Sequence, residues 1–365
     1  MTASPIAAAT VNFNPENRLF VDGRLRDSST GKTVDNINPA NEELLGVATD
    51  ASAADMDEAI SAARRAFDTT DWSTNHDFRQ HCLEQLHDAL QEEKEDIRAE
   101  LIAEVGATVG MTYIAQLEWP LADAIRYPAE LISTFQWERM LDQDAKMGVP
   151  YNRVVVKEPM GVVAGITPWN FPFEIISNKV GPILATGNTM VLKPAIETPW
   201  SALRWGRIIA EKTDIPPGVV NIVPASDNDI AQVLVTDPRV DMVSFTGSTA
   251  VGQLIQRLSA DTMKRNMLEL GGKSAYLLLD DADMDMALPG CIGALMHSGQ
   301  GCALATRMLV PRPHYDQAVE VATATFGALS VGDPSDPNTF CGPLVSAKQR
   351  DRVLNYIEIA KADGG

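Results

Sequence analysis

Pro159–Pro194 reads PMGVVAGITPWNFPFEIISNKVGPILATGNTMVLKP. Gly161–Ile166 is a short apolar run without polar alternation, the pattern of a strand covered on both faces. Thr167–Pro172 is a loop bracketed by prolines, and a helix is expected from it through Leu184. Thr189–Lys193 is a second apolar strand. Downstream the alternation continues: helix Pro199–Lys212, strand Val219–Val223, helix Ile230–Leu234, strand Met242–Phe245 and helix Ser248–Leu258. Apolar strands alternating with amphipathic helices predict an α/β fold, a buried parallel sheet with helices on both faces. After Glu269 a further αβ region begins, with strand Ala275–Leu279 and helix Met284–His297.

Upstream, Arg18–Gly31 predicts a hairpin turning at Asp22-Gly23. Asn38-Pro39-Ala40 is a turn, and Ala53–Phe67 an amphipathic helix capped near Ser52. Long helical patterns run through His76–Val105 and Met111–Trp137. Met147–Glu158 is rich in β-branched residues and reads as a lone strand, which must pair elsewhere, as with a second subunit. Residues 1–17 read as a loose tail without the basic and apolar regions of a leader.

The chain of 365 residues is 45% hydrophobic and 22% charged, the mixture of a globular protein of about two or three domains. Its 30 basic and 49 acidic residues give a net charge of −19, which argues against nucleic acid or an anionic membrane as partner. No apolar run has membrane-spanning length. The four cysteines form no C-x-x-C pair and no zinc pattern, so no metal is expected, and a reduced, cytoplasmic setting is.

Five short stretches carry candidate chemistry. Phe245–Gly252, FTGSTAVG, joins a strand to a helix whose free N–H groups suit a pyrophosphate, or it is an ordinary turn. Lys193-Pro194-Ala195 ends a strand, where ligands of open α/β sheets sit and a lysine can reach ribose hydroxyls or phosphates, or it is simply a solvated lysine at a strand end. Glu269, between two leucines and before Gly-Gly, would have a raised pKa in an apolar setting and suit a general base, or it is an exposed glutamate on a turn. Cys302, approached through Ser298-Gly299-Gln300-Gly301, is an accessible nucleophile or a buried inert thiol; Cys82, Cys291 and Cys341 are taken as inert. Pro168-Trp169-Asn170-Phe171-Pro172 holds the Asn170 amide rigid, as an oxyanion donor or as a helix cap.

Together the motifs P-W-N-F-P, K-P-A-x-E-T-P, F-T-G-S-T-x-x-G, L-E-L-G-G-K-S and G-Q-G-C resemble the aldehyde dehydrogenase superfamily, in its order and spacing, from about Arg18 to the last residue. The resemblance implies a Rossmann-type cofactor domain (18–145 and 159–269), an oligomerisation strand (146–158) and an αβ catalytic domain (270–365). It implies that an aldehyde is oxidised to a carboxylic acid through a thioester on Cys302, with the oxyanion held by Asn170, water activated by Glu269 and protons moved by Lys179. A hydrolytic Glu269 favours a free acid over transfer to coenzyme A. The cofactor contacts implied are Ile166, Pro168, Trp169, Lys193, Ala195, Ile196, Glu197, Gly247, Ser248, Gly252 and Leu270. The substrate opening left by Trp169, Phe171, Phe173 and Met296 reads as apolar. The resemblance also implies a homodimer or homotetramer.

Three residues beyond Lys193, where many NAD-preferring relatives have a glutamate, this chain has Ile196, with Glu197 next; Asp227 stands where glycine is common. These carboxylates predict NAD, with NADP as the alternative. Relatives extend past Gly365 with a Glu-x-Phe-Gly-Pro segment and a terminal strand, so the catalytic domain is expected to be incomplete here, with exposed edges, low stability and little activity if these residues are the whole product. Two other readings stand beside the enzyme: a non-catalytic remnant that binds NAD or a sister subunit, and a thiol enzyme that uses Cys302 without a cofactor.

Overall fold

The computed structural model describes residues 14–145 and 148–365. The proposed tail therefore lies outside the described residues up to 13. Within it Glu16 is buried and accepts hydrogen bonds from the Asn17 and Arg18 amides, and Asn17 accepts from the Thr49 amide, so the tail stops short of 17.

Strands β1 (Leu19–Val21) and β2 (Arg24–Arg26) form the expected hairpin, with Asp22 and Gly23 both at positive φ. Strands β3 (Thr33–Ile37) and β4 (Leu44–Thr49) make a second hairpin where only a turn was expected. Helix α1 (Ala53–Thr69) starts at Ser52, whose hydroxyl accepts from the Asp55 amide while Asp55 accepts from the Ser52 amide, a capping box.

The two long helical patterns are each broken. The first is α2 (His76–Glu92), α3 (Lys94–Glu100) and a π turn, Leu101–Val105, closed by Gly106 in the left-handed region. The second is α4 (Val109–Thr112), α5 (Glu118–Asp123) and α6 (Arg126–Thr134). Strands β5 (Glu138–Asp144) and β6 (Tyr151–Val156) pair antiparallel with one another. The strand expected over 147–158 thus finds its partner in its own chain, and Met147 lies outside the described residues.

The parallel core follows the reading from Pro159 closely. Its elements are β7 (Val162–Ile166), α7 (Pro172–Ala185), β8 (Thr189–Lys193), α8 (Trp200–Lys212), β9 (Val220–Ile222), α9 (Asn228–Thr236), β10 (Met242–Gly247), α10 (Thr249–Ser259) and β11 (Arg265–Leu270). The strand order is β11-β10-β7-β8-β9-β1-β2, with β1 antiparallel to β9. β11 was not foreseen as a strand.

Side chains alternate across each strand, so the sheet has two distinct faces. Val163, Met190, Leu192, Val220 and Ile222 pack beneath α2, α6, α7 and α8. Val162, Ala164, Val191, Val243 and Phe245 pack against α1, α9 and α10.

Beyond β11, β12 (Ala275–Leu277) and β13 (Arg307–Leu309) form a two-stranded parallel sheet. The helix expected over Met284–His297 is only α11 (Met284–Ala287), followed by 3₁₀ turns to Gly299 with Met296, His297 and Ser298 out of helical conformation. Helices α12 (Tyr315–Gly327) and α13 (Ala347–Ala362) complete the described chain.

Candidate active site

From β7 the chain winds outward through β8 to β9, then returns across β7 to β10 and β11. Strand direction of travel therefore reverses between β7 and β10, and a crevice forms at their carboxyl ends, the usual ligand site of such sheets. Ile166, Lys193, Gly247 and Leu270 are the last residues of β7, β8, β10 and β11.

Register assigns these four to one face. Ile166 lies across from both Phe245 and Lys193, and Gly247 lies across from Leu270. Phe245 and Leu270 pack on the α10 side. Helix α10 begins there, with the Ser248 hydroxyl accepting from the Val251 amide. Its Gly252 sits directly on Leu270: a Cβ would come 2.7 Å from the leucine Cδ2, so a side chain there would force Leu270 to shift. Lys193 is half-buried, not a freely solvated strand-end lysine. Burial pushes its ammonium below the usual value, opposed by Glu197 and Asp50. Thr167 Oγ1, at the mouth of β7, is buried without a hydrogen-bond partner in the structure. Pro168, Trp169, Ala195, Ile196 and Glu197, in the loops after β7 and β8, are all half-buried.

Glu269 takes the other face. It pairs in register with Thr246, as Met267 does with Ser244. Ser244 accepts a 2.9 Å hydrogen bond from the Lys179 Nζ on α7. Burial pushes Lys179 down to about 8, with Glu269 the opposing influence. The same alternation corrects the apolar setting expected for Glu269. Leu268 and Leu270 turn into the α10 face, and the Glu269 side chain is exposed.

The loop after β7 brings Asn170 to the segment that carries Cys302. Asn170 Nδ2 donates to the Gln300 carbonyl at 2.6 Å. α7 has no side-chain cap, so Asn170 does not serve as one. Approaching the cysteine, His297, Ser298 and Gly299 all have positive φ, and the two non-glycines carry backbone strain of about 1–3 kcal/mol each. The turn is held by Ser298 Oγ donating to the Gly342 carbonyl at 2.7 Å and by the Val345 amide donating to Gln300 Oε1 at 3.0 Å. Cys302 leaves this turn exposed, while Cys82, Cys291 and Cys341 are buried.

Two contributors were not anticipated. Gln116 Nε2 donates to the Asn170 carbonyl at 2.7 Å, and Gln116 is fully buried. His297 is buried edge-on against Phe171, ring centroids 5.1 Å apart. Burial pushes its imidazole down to about 4, so the ring is neutral near pH 7, with the Asn170 carbonyl pulling weakly the other way. No spacing in the sequence links residue 116 to the Asn170 loop; a histidine five residues before the cysteine was visible but had no assigned partner. The apolar opening also needs correction. Phe173 is buried against Trp205 and Phe171 against His297, because both anchor the loop to the core; Trp169 and Met296 remain half-buried.

Among the described residues no group of histidine, cysteine and carboxylate side chains could hold a metal ion, and no helix is long and apolar enough to cross a membrane.

A doubly wound sheet with an exposed cysteine two residues beyond a carbonyl bound by an asparagine amide fits a class of dinucleotide-dependent thiol enzymes, and comparison with known proteins narrows it. A sequence profile described as the aldehyde dehydrogenase family matches residues 25–365. The chain is 38% identical to a 3-succinoylsemialdehyde-pyridine dehydrogenase of a Pseudomonas species, over 95% of this chain and 70% of that protein. It superposes on an aldehyde dehydrogenase from Bacillus cereus solved with NAD+ at a TM-score of 0.90 and 36% identity, covering 96% of this chain and 71% of that one. A mutant aldehyde dehydrogenase C from Pseudomonas syringae, solved with NAD+ and octanal, gives 0.89 and 33%, covering 96% and 70%. The chain belongs to the aldehyde dehydrogenase family, whose members are NAD(P)-dependent oxidoreductases.

Proposed function

We propose that this protein oxidises an aldehyde to the free carboxylic acid, with NAD as hydride acceptor and Cys302 as nucleophile. The observation that carries the reading is the Asn170–Gln300 hydrogen bond, which ties an amide donor to the loop presenting the one exposed thiol among the described residues. The residues at the crevice fit a dinucleotide: the unpartnered Thr167 hydroxyl, the half-buried Lys193, and the close α10 packing at Gly252 that brings a helix N-terminus to the strand ends. Ile166, Pro168, Trp169, Ala195, Ile196, Glu197, Gly247, Ser248 and Leu270 complete the proposed contacts. Bound NAD supplies an acceptor for the hydride lost by the substrate carbon.

The chain's own residues do the rest. The Cys302 thiolate adds to the aldehyde carbon, and the second N–H of Asn170 with the Cys302 amide holds the resulting oxyanion. Once the carbon is oxidised, the substrate is a thioester on Cys302. Glu269 then takes a proton from water, which attacks the thioester and releases the acid. Lys179, facing the same side as Glu269 and lowered to about 8, can give or take a proton near neutrality. Residues 18–145 with 159–269 are assigned to cofactor binding, 270–365 to catalysis, and the β5–β6 ribbon to contact with a second copy in a cytoplasmic homodimer or homotetramer.

The test is kinetic. Cys302→Ala should abolish reduced-nicotinamide formation while leaving NAD binding, measured by calorimetry, within about twofold. Glu269→Gln should give a single burst of reduced cofactor and then stall. Normal steady-state turnover in Glu269→Gln would reject the assigned base.

A further inference from the structure

Asn170 is held twice. Its side chain donates to the Gln300 carbonyl, and its main-chain carbonyl accepts a 2.7 Å bond from Gln116 Nε2. The second bond belongs to no regular ladder. Helix α7 begins at Pro172, and the first carbonyl to enter its ladder is that of Phe171, which accepts from the Ile175 amide. The Asn170 carbonyl lies one residue outside, so its partner has to come from elsewhere in the chain.

This carbonyl matters because of what the loop leaves free. Pro168 and Pro172 fix their own φ and restrict the residue before each, Thr167 and Phe171. Trp169 and Asn170 lie between, where proline ring geometry sets neither. Holding the Asn170 carbonyl fixes the rotation of its peptide plane, and so the direction in which its Cα sends the side-chain amide.

Gln116 is placed at some cost. It lies in the turn 113–117 between α4 and α5, and its own amide donates to the Met111 carbonyl at 3.0 Å. Thr112, at the end of α4, is braced by a 2.7 Å bond accepted from Arg98. Gln116 is fully buried, yet its Oε1 has no hydrogen-bond partner. A methionine or leucine would fill the same space with no polar group left unmatched. Among the described residues the Gln116 side chain makes a single hydrogen bond, and that bond goes to Asn170.

We infer that Gln116 is a positioning residue, which acts through Asn170 by aiming its amide at the oxyanion formed on the substrate. The inference rests on the proposed chemistry at Cys302 and Asn170.

The test is a double-mutant cycle on the single-turnover rate of reduced-nicotinamide formation at saturating aldehyde. Asn170→Ala, which removes the donor, should slow this step about 100-fold. Gln116→Met, which keeps the length of the side chain and loses its N–H, should slow it about tenfold. The double variant should lie within about twofold of Asn170→Ala, because Gln116 has nothing left to aim. NAD affinity and the half-saturating aldehyde concentration should stay within about twofold in Gln116→Met. A wild-type rate in Gln116→Met, or losses that multiply in the double variant, overturns the inference while aldehyde oxidation stands. If Gln116→Met does not fold by thermal melt, Gln116→Asn, which draws the amide back by one carbon, takes its place in the cycle. If neither folds, Gln116 is a packing residue and the inference falls. If the wild type oxidises no aldehyde, the proposed function falls, and the same cycle is read without NAD on p-nitrophenyl acetate. There the Cys302 thiolate takes the acetyl group through an oxyanion and nitrophenolate leaves. The same non-additive pattern supports the inference; additive losses, or no release above that of Cys302→Ala, overturn it.

Discussion

Cys302 is set apart from the other cysteines by where its turn leaves it. Burial pushes Cys82 up to about 12 and raises Cys341 as well, so both stay protonated near neutral pH. Brief treatment of the native protein with iodoacetamide should therefore label Cys302 first, with peptide mass analysis finding the other three unmodified. Comparable labelling of Cys291 or Cys341 would show that the fold does not single out Cys302. At this scale the sequence was informative where a residue has little structural work to do. Gly299 and Gly301 around the cysteine and the prolines around Asn170 mark backbone held for another purpose. It was uninformative where a role comes from a distant partner. Gln116 reaches Asn170 across 54 positions, and His297 meets Phe171 only through the folded turn. Glu269 shows the opposite error: two leucines adjacent in sequence lie on the other face of the strand.

Among elements, α8 depends on an acid that no motif announced. Glu104, in the π turn, is completely buried and accepts from the Trp200 and Ser201 amides at the start of α8 and from Asn36 Nδ2. Burial raises its pKa to about 7, with the neighbouring Glu100 adding to the shift and the Ser201 and Asn36 bonds opposing it. A carboxyl whose pKa is higher in the folded chain than in the unfolded one favours folding at low pH, and that advantage is lost as pH rises through the folded value. From about pH 5.5 to about pH 8 this group should cost roughly 2 kcal/mol of stability. Urea unfolding of the wild type and Glu104→Gln across that range should show the difference between them change by about this much, and a constant difference would exclude the assignment. The elements themselves were legible wherever burial on both faces imposed a pattern, as in β7 and β8, whose limits agree with the reading to within a residue. β5 was missed because its side chains are exposed or half-exposed on both faces, leaving no alternation to detect. The run His76–Val105 kept a helical period across a break at Glu93, where one residue ends α2 and begins α3, so periodicity alone could not show the interruption.

Over the whole molecule the charge of −19 has a local counterpart at the cofactor crevice. Asp50 and Glu197 both act on Lys193, and Asp227 acts on Lys32, which pairs with Asp50 at 2.7 Å. Glu197 and Asp227 were visible as carboxylates in the chain; Asp50 joins them only because β4 ends beside the loop after β9, where Ser226 donates to it. A 2′-phosphate would meet this field unfavourably. NAD should therefore be used more efficiently than NADP, and Glu197→Gln combined with Asp227→Asn should raise the NADP to NAD ratio of kcat/KM by about tenfold. A wild type that prefers NADP would overturn the assignment. The alternation along β11 has one more effect on how such a catalyst runs. Glu269 opens toward the α7 side and Leu270 toward the α10 side, so under the proposed mechanism the base that activates water and the leucine at the dinucleotide would work from opposite faces of a single strand.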